Sequence, residues 1–311
     1  MTRTGTPVPS AVDRDELGRG LTGAAIAVCA WSTGTVITKH IDMGGLAIAA
    51  YRFWIFSIGI LIWMELRRTP FRWPAMRNSL WGGIALGLDV AFFFSAIKLT
   101  SVVNATIIGS MQPVVVGVVA ARFFDEQIRL RDALWSLVAI TGAIVVVSTG
   151  AGEAEGSWRG NLLAVGAMIA WSAYFIASKR SKEKMTSTEF TAGSAVWTAI
   201  ICTPLALLFD QDLSIPSATN WLWLMVMVIG SGVVGHSLMN WSLVRIPLWV
   251  GSTFTLLIPV FAAILAWLFL DESLQLSQVL AMAVVIGALT AIVYGQRRQV
   301  VAEIAAEEFI A

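Results

Sequence analysis

The chain of 311 residues has too few polar side chains to cover a water-soluble surface, because 57% of its residues are hydrophobic and only 13% are charged. Its formal net charge of +1 leaves no strongly basic surface of the kind that binds nucleic acid. The composition therefore indicates a membrane protein and excludes a water-soluble domain.

Apolar segments long enough to cross a bilayer, roughly 20 residues each, follow one another along the chain. Residues 1–20 are polar and lack the order of a signal peptide, so we interpret them as a cytoplasmic tail. The pattern after them predicts an all-α polytopic protein with ten transmembrane helices and a second cytoplasmic tail at 296–311. The predicted spans are 21–39, 46–66, 80–99, 102–124, 133–149, 160–178, 188–209, 221–244, 249–270 and 278–295.

The positive charges predict the orientation, because Lys and Arg near span ends stay on the cytoplasmic side. With the N-terminus inside, seventeen of the 21 Lys and Arg residues lie in cytoplasmic segments, with clusters at 67–77, 122–131 and 179–184. We therefore expect a multi-pass protein of the inner (plasma) membrane with both termini in the cytoplasm.

Two pairs of similar segments indicate that the chain repeats itself. "AWSTGTVITK" (30–39) aligns with "AWSAYFIASK" (170–179), and "QPVVVGVVAARFFDEQIRL" (112–130) aligns with "IPVFAAILAWLFLDESLQL" (258–276). We predict two five-helix repeats, 21–149 and 150–295. Five is odd, so the second repeat is inverted in the membrane, as in carriers that bind at a midplane cavity. The aligned Lys39 and Lys179 then lie on opposite sides, and we interpret them as interface anchors.

Several motifs shared by the halves carry a resemblance to a known family. They are Pro113 and Pro259, the acidic pairs in "FFDEQIRL" and "FLDESLQL", and the helices "AITGAIVVV" and "VVIGALTAIVY". Over about residues 20–295 the chain resembles the drug/metabolite transporter superfamily, of the ten-helix EamA type, although Gly-Glu is commoner there than Asp-Glu. The resemblance implies a central cavity surrounded by spans 1–4 and 6–9, with spans 5 and 10 peripheral. The resemblance extends to one of its branches, the YddG-like aromatic amino-acid exporters, which the motifs above do not distinguish from the others.

Two ionisable residues lie at membrane depth, where a charge costs at least about 2.5 kcal/mol. Asp89 lies midway through the third span, so we expect it to line an aqueous cavity or to pair with a cation. Arg52 lies roughly 10 Å into the second span. Its side chain either snorkels to the surface, bonds helix-end carbonyls or forms an ion pair with Asp89.

Amide and imidazole side chains form stripes at helical spacing in both halves. Asn104 and Gln112 lie eight residues apart in the fourth span, and His236 and Asn240 lie four apart in the eighth. Such groups either bind a substrate or hold helices together, and two stripes favour a shared polar cavity. His236 is a candidate carrier of a coupling proton or a packing residue.

Aromatic side chains provide further candidates for the substrate site, because they stack on planar or cationic ligands. These are Trp31, Trp171, Tyr174 and Trp241, together with Ser32 of the repeated Trp-Ser pair. Trp31 and Trp171 are the better candidates, since each lies in the middle of a span and not at a head group.

Proline residues interrupt the backbone hydrogen bonds of the fourth and ninth spans, at Pro113 and Pro259. Kinks at these positions either act as hinges or are static bends required for packing.

The leading interpretation is a secondary carrier that exports or exchanges small metabolites, most of all amino acids, by alternating access. The chain has no G-x-x-x-x-G-K-[ST], H-E-x-x-H or G-x-S-x-G string. We therefore expect no catalytic residue, no metal and no cofactor; the expected partners are a small-molecule substrate and the lipid bilayer, for a monomer that binds no nucleic acid. The alternatives are another solute class in the same fold, such as a drug, a polyamine or a nucleotide sugar, or an intramembrane enzyme.

Replacing Trp171 or Asn240 by Ala is expected to impair transport without affecting membrane insertion, because both are predicted cavity residues. Solute flux in vesicles measures the effect, with insertion checked in the membrane fraction. Wild-type flux in both variants would remove these residues from the site.

Overall fold

The computed structural model describes residues 11–38, 40–100, 102–149, 157–269 and 273–308, which are helical apart from the connecting loops. The first half contains α1 (Ala11–Thr38), α2 (Gly45–Leu66), α3 (Trp73–Asn78), α4 (Leu80–Leu99), α5 (Val102–Gly109), α6 (Gln112–Phe123) and α7 (Leu130–Thr149). The second half contains α8 (Trp158–Ser181), α9 (Ser187–Leu208), α10 (Ala218–Met227), a π-helical segment (Val228–His236), α11 (Ser237–Leu243), α12 (Leu248–Phe254), α13 (Leu257–Phe269) and α14 (Leu276–Glu308).

Nine helical stretches within the described ranges are long and apolar enough to cross a membrane, and they correspond to the predicted spans from the second to the tenth. The protein is therefore an all-α polytopic membrane protein. α1, which contains the predicted first span, is not among the nine, so the count of ten stays a prediction. α1 begins before that span because its polar start is also packed: Leu17 is buried, and Glu16 forms an ion pair with Arg245 at 2.7 Å.

Small residues allow α4 to pack closely against α9. A Cβ atom on Gly83 would overlap the Trp197 side chain, and one on Gly87 would lie 3.0 Å from Ile201 Cγ2. Small residues at this four-residue spacing, in the run "GGIALG" (82–87), favour such close helix packing. α7 and α14, in contrast, pack chiefly against each other. Spans five and ten thus form a helix pair of their own.

The carboxylate of Glu126, just after α6, joins the first half of the chain to the second. It accepts hydrogen bonds from the backbone N–H groups of Leu248 (2.7 Å) and Trp249 (3.2 Å) at the start of α12. Lys179 Nζ, at the end of α8, lies 3.7 Å from the same carboxylate. The negative charge thus lies where the positive end of α12 and a lysine both stabilise it.

The structure corrects the interpretation of Lys179 as an interface anchor. Its side chain is buried, and Nζ donates to the carbonyl oxygen of Ile246 in addition to pairing with Glu126. A snorkelling lysine would instead extend its amine to the head groups. Lys39 and the second acidic pair, Asp271 and Glu272, lie outside the described residues.

The fourth and ninth spans, which contain Pro113 and Pro259, are both interrupted, whereas α9 continues unbroken through Pro204. The break between α5 and α6 precedes Pro113, and the break between α12 and α13 precedes Pro259. The two breaks occupy aligned positions of the two halves and lie against each other, because α6 packs on α12. Their action as hinges stays a prediction.

Glu126→Ala is expected to lower the free energy of unfolding by about 1–3 kcal/mol, because it leaves Lys179 without its charge partner and two N–H groups of α12 without an acceptor. Thermal unfolding of the purified protein in detergent measures this loss. Glu65→Ala, which removes an exposed glutamate of α2, is the matched control. Equal Tm values for the two variants would contradict the assigned contacts.

Candidate substrate site

An aromatic cluster lies where α1, α2, α8 and the π-helical segment meet, and we define it as Trp31, Phe53, Phe56, Trp171, Tyr174, Phe175 and His236. The ring centroids of Trp31 and Trp171 lie 5.0 Å apart in a T-shaped arrangement, and Trp171 stacks on Tyr174 at 5.4 Å. The His236 ring lies 5.4 Å from Trp31. Each aromatic pair contributes about 0.5–1.5 kcal/mol beyond its buried area, so the aromatic cluster holds the two halves together.

Trp31 and Trp171 are the accessible members of the aromatic cluster. Both are half-buried, whereas Tyr174 and Phe175 have no exposed surface. The Trp31 Nε1–H group has no hydrogen-bond partner in the described part of the chain. Two partly exposed indole rings together with a buried, unused N–H group are suited to a planar ligand that carries a hydrogen-bond acceptor.

Trp31 reaches His236 because the π-helical segment presents Gly235 to its ring. A Cβ atom on Gly235 would lie 2.5 Å from Trp31 Cδ1. π-Helical turns are rare and frequently occur at functional sites. His236 is itself buried, and its Nδ1 lies 3.4 Å from the Tyr174 hydroxyl, which donates to it when the neutral imidazole carries its proton on Nε2.

The side chain of Asn240 is the centre of a buried polar network that links α8, α9 and α11. Its Nδ2 donates to the hydroxyl oxygens of Tyr174 (2.8 Å) and Thr191 (2.9 Å), and its Oδ1 accepts from Ser178 Oγ (2.8 Å). Both amide donors are thus used within the protein. The structure gives Asn240 and Tyr174 a direct part in holding three helices together, and their contact with substrate stays a prediction.

Arg52 of α2 and Asp89 of α4 lie within electrostatic range of each other. No ion pair within 4.0 Å joins them in the described structure, and the Arg52 guanidinium lies over the Phe53 ring at 4.6 Å. Arg52 Nε is buried without a hydrogen-bond partner. The predicted direct ion pair is therefore replaced by a longer-range interaction at the border of the aromatic cluster.

The described residues contain no group of three His, Cys, Asp or Glu side chains that could hold a metal ion.

Ser32 and Gln112 both lie at the helix breaks. Ser32 Oγ is 2.9 Å from the Val28 carbonyl oxygen of its own helix and 3.2 Å from that of Ile258 in α13. Gln112 Oε1 is 3.0 Å from Thr255 Oγ1, between α12 and α13. Ser32 follows Trp31 on α1, so the breaks lie against the helix that carries one member of the aromatic cluster.

Two predicted site residues form their contacts elsewhere. Asn104 Nδ2 donates to Thr100 Oγ1 at 3.3 Å. Trp241 lies beneath the Arg245 guanidinium, 3.9 Å from its ring centroid, and lines a separate open cavity of about 540 Å³ with Lys182 and Glu189. Position on the same helix as His236 therefore does not bring Trp241 to the aromatic cluster.

Several members of the site carry no motif that would identify them in advance. Phe53 and Phe56 are ordinary apolar residues of a spanning helix, and Thr191 is one of several hydroxyl residues in α9. Phe175 is different, because its position four residues after Trp171 places both on one face of α8. That spacing is a signal from which its membership could have been predicted.

Comparison with known proteins gives a consistent match over most of the chain. The model of the EamA-like transporter family matches residues 18–148 and 158–294. The aromatic amino acid exporter YddG of Ancylobacter novellus is 28% identical over 228 residues, which cover 70% of this chain and 76% of the exporter. The threonine/homoserine exporter RhtA of Salmonella typhimurium is 24% identical, covering 85% and 87% respectively. A solved crystal structure shares the fold with a TM-score of 0.75 at 22% identity, covering 91% of this chain and 99% of that one.

Gly235→Ala is expected to displace Trp31 and to lower the free energy of unfolding by about 1–3 kcal/mol, because the new methyl group overlaps a ring held by Trp171 and His236. Gly287→Ala is the matched control, since nothing lies within 4 Å of a Cβ atom at that position of α14. Thermal unfolding in detergent compares them. A Tm for Gly235→Ala equal to that of the control would show that Trp31 is not packed against Gly235.

Proposed function

Because the chain belongs to the EamA-like transporter family, we propose that it is a secondary transporter that exports or exchanges amino acids, the aromatic ones included. Relatives named as exporters of aromatic amino acids and of threonine and homoserine support this class of substrate. The aromatic branch is favoured by one observation above all, the accessible pair of Trp31 and Trp171.

The depth of this pair supports a role in binding. Trp31 lies ten residues after the start of the predicted first span and Trp171 eleven after that of the sixth, which is roughly 15 to 17 Å into a hydrocarbon layer about 30 Å thick. Tryptophans that anchor a protein lie at the two interfaces instead. Two indoles at the midplane, one from each half, provide a stacking surface where a carrier binds its substrate.

Alternating access would then proceed by rocking of two inverted five-helix repeats, 21–149 and 150–295, about the aromatic cluster. Each half supplies a tryptophan, so relative movement of the halves changes the site directly. The proposed setting is the inner membrane, with both termini in the cytoplasm, a monomeric chain and no cofactor. The driving force is the substrate gradient, exchange or a coupled ion.

Counterflow in liposomes tests the proposal. Vesicles loaded with unlabelled L-phenylalanine are expected to accumulate labelled L-phenylalanine when they contain the protein. Trp31→Ala should raise the half-saturating concentration about tenfold through loss of ring contacts. Trp158→Ala, which removes an exposed tryptophan at the start of α8, is the matched control and should leave it unchanged.

Other solutes offered to the same vesicles distinguish this proposal from its alternative, transport of a different solute class. Threonine, homoserine, a polyamine and a nucleotide sugar are offered to the same vesicles. Accumulation of a polyamine or nucleotide sugar without any amino acid would assign the protein to another solute class. Equal kinetics for Trp31→Ala and Trp158→Ala would remove the tryptophan pair from the site.

A further inference from the structure

Two helices are broken near the middle of the membrane, and their breaks meet. The α5–α6 break follows eight helical residues and the α12–α13 break follows seven, which places both roughly 10 to 12 Å below opposite membrane surfaces. Both are therefore close to the middle of a layer about 30 Å thick. Gln112, the first residue of α6, contacts Thr255 in the other break at 3.0 Å.

The Gln112 side chain has hydrogen-bonding capacity that the protein does not use. The residue is completely buried, and its Nε2 has no partner among the described residues. Thr255 has a single hydroxyl proton, and the Ser252 carbonyl oxygen lies 2.6 Å from that hydroxyl. In either orientation of the amide, at least one N–H therefore has no acceptor. A buried donor of this kind costs about 1–3 kcal/mol unless a ligand or water accepts its hydrogen bond.

The surrounding helix ends favour a negatively charged acceptor. The first turns of α6 and α13 both begin at the breaks, where the positive ends of the two helix dipoles lie. Pro113 and Pro259 have no N–H group, and the N–H groups of Val114 and Ile258 donate to the carbonyl oxygens of Met111 and Thr255, so Gln112 Nε2 is the principal free donor. Neither first turn contains an acidic residue that would neutralise the positive end of its helix. Half-helix N-termini at membrane depth are suited to the anionic group of a substrate.

We propose that Gln112 and the first turns of α6 and α13 form a binding site for the carboxylate of an amino-acid substrate, with Thr255 holding the amide in place. The site lies against the helix that carries Trp31, because Ser32, the next residue of α1, contacts the Ile258 carbonyl oxygen in the first turn of α13. A bound aromatic amino acid would place its ring against Trp31 and Trp171 and its carboxylate at Gln112. This inference rests on the proposed function, since it locates one group of the same substrate.

Competition between two ligands that differ in the carboxylate tests the site. Counterflow of labelled L-phenylalanine is inhibited with unlabelled L-phenylalanine or with phenethylamine, which has the same ring and amine but no carboxylate. Gln112→Leu is expected to weaken inhibition by L-phenylalanine about tenfold or more, as for loss of a buried bond to a charged group, and to leave phenethylamine unchanged. Gln112→Glu adds a negative charge and should weaken L-phenylalanine further.

Gln278→Leu is the matched control. Gln278 is also a buried glutamine, and its Nε2 donates to the Val146 carbonyl oxygen between α14 and α7, away from the breaks. This variant should bind both ligands as the wild type does. Monodispersity and Tm in detergent show whether each variant is folded, and ligand-induced shifts of Tm provide the same comparison for a variant too slow to transport.

The outcomes separate the two proposals. If wild-type vesicles transport no amino acid, both the proposed function and the carboxylate site are wrong. Two results would overturn only the carboxylate site, in wild-type vesicles that do transport L-phenylalanine. In the first, L-phenylalanine inhibits Gln112→Leu and Gln112→Glu as strongly as the wild type. In the second, inhibition by phenethylamine weakens as much as inhibition by L-phenylalanine. Weaker inhibition by L-phenylalanine in both Gln112 variants, with unchanged inhibition by phenethylamine, supports the site.

Discussion

The hydrocarbon interior of a membrane supplies no hydrogen-bond partners, so an interrupted helix is tolerated only where other parts of the protein cover the break. This constraint governs the centre of the molecule. The α5–α6 and α12–α13 breaks come from aligned positions of the two halves and cover each other through Gln112 and Thr255, while Ser32 binds the Ile258 carbonyl oxygen beside them. Because side chains of each half contact the break of the other, the packing that covers the breaks also brings the two halves together, as Trp31 and Trp171 do in the aromatic cluster.

The polar side chains around Trp31 and Trp171 form two sets. The hydrogen bonds of one set are satisfied within the protein, and those of the other set are not. Asn240 uses both of its amide donors to join α8, α9 and α11, which fixes the position of Tyr174 behind Trp171. Trp31 Nε1 and Gln112 Nε2, in contrast, are buried without hydrogen-bond partners among the described residues. In the proposed carrier, this division would let a rigid frame position the groups that are to bind the substrate.

Electrostatics connect the halves a second time, at the end of α6. Glu126 binds the first N–H groups of α12 and lies beside the buried Lys179, so one carboxylate stabilises three segments. The acidic pair was recognisable in the sequence as a repeated motif. Its partner Lys179 was not, because Lys179 belongs to a basic cluster that is typical of a cytoplasmic surface. Removing either charge would leave the other in a poorly solvated place.

The amino-acid sequence by itself determined the all-α membrane class and the nine spans that the structure bears out, and it indicated the breaks at Pro113 and Pro259, although Pro204 lies inside the unbroken α9. These follow from hydropathy and from proline, whose effects are local and act residue by residue. Tertiary structure alone decided which side of each helix faces which neighbour. Asn104 and Gln112 share a stripe in the sequence, but a helix break separates them, and Asn104 contacts Thr100 whereas Gln112 contacts Thr255. Trp241 follows His236 by five residues and turns toward Arg245 instead, because side-chain direction depends on helix rotation, which only packing against the other helices fixes.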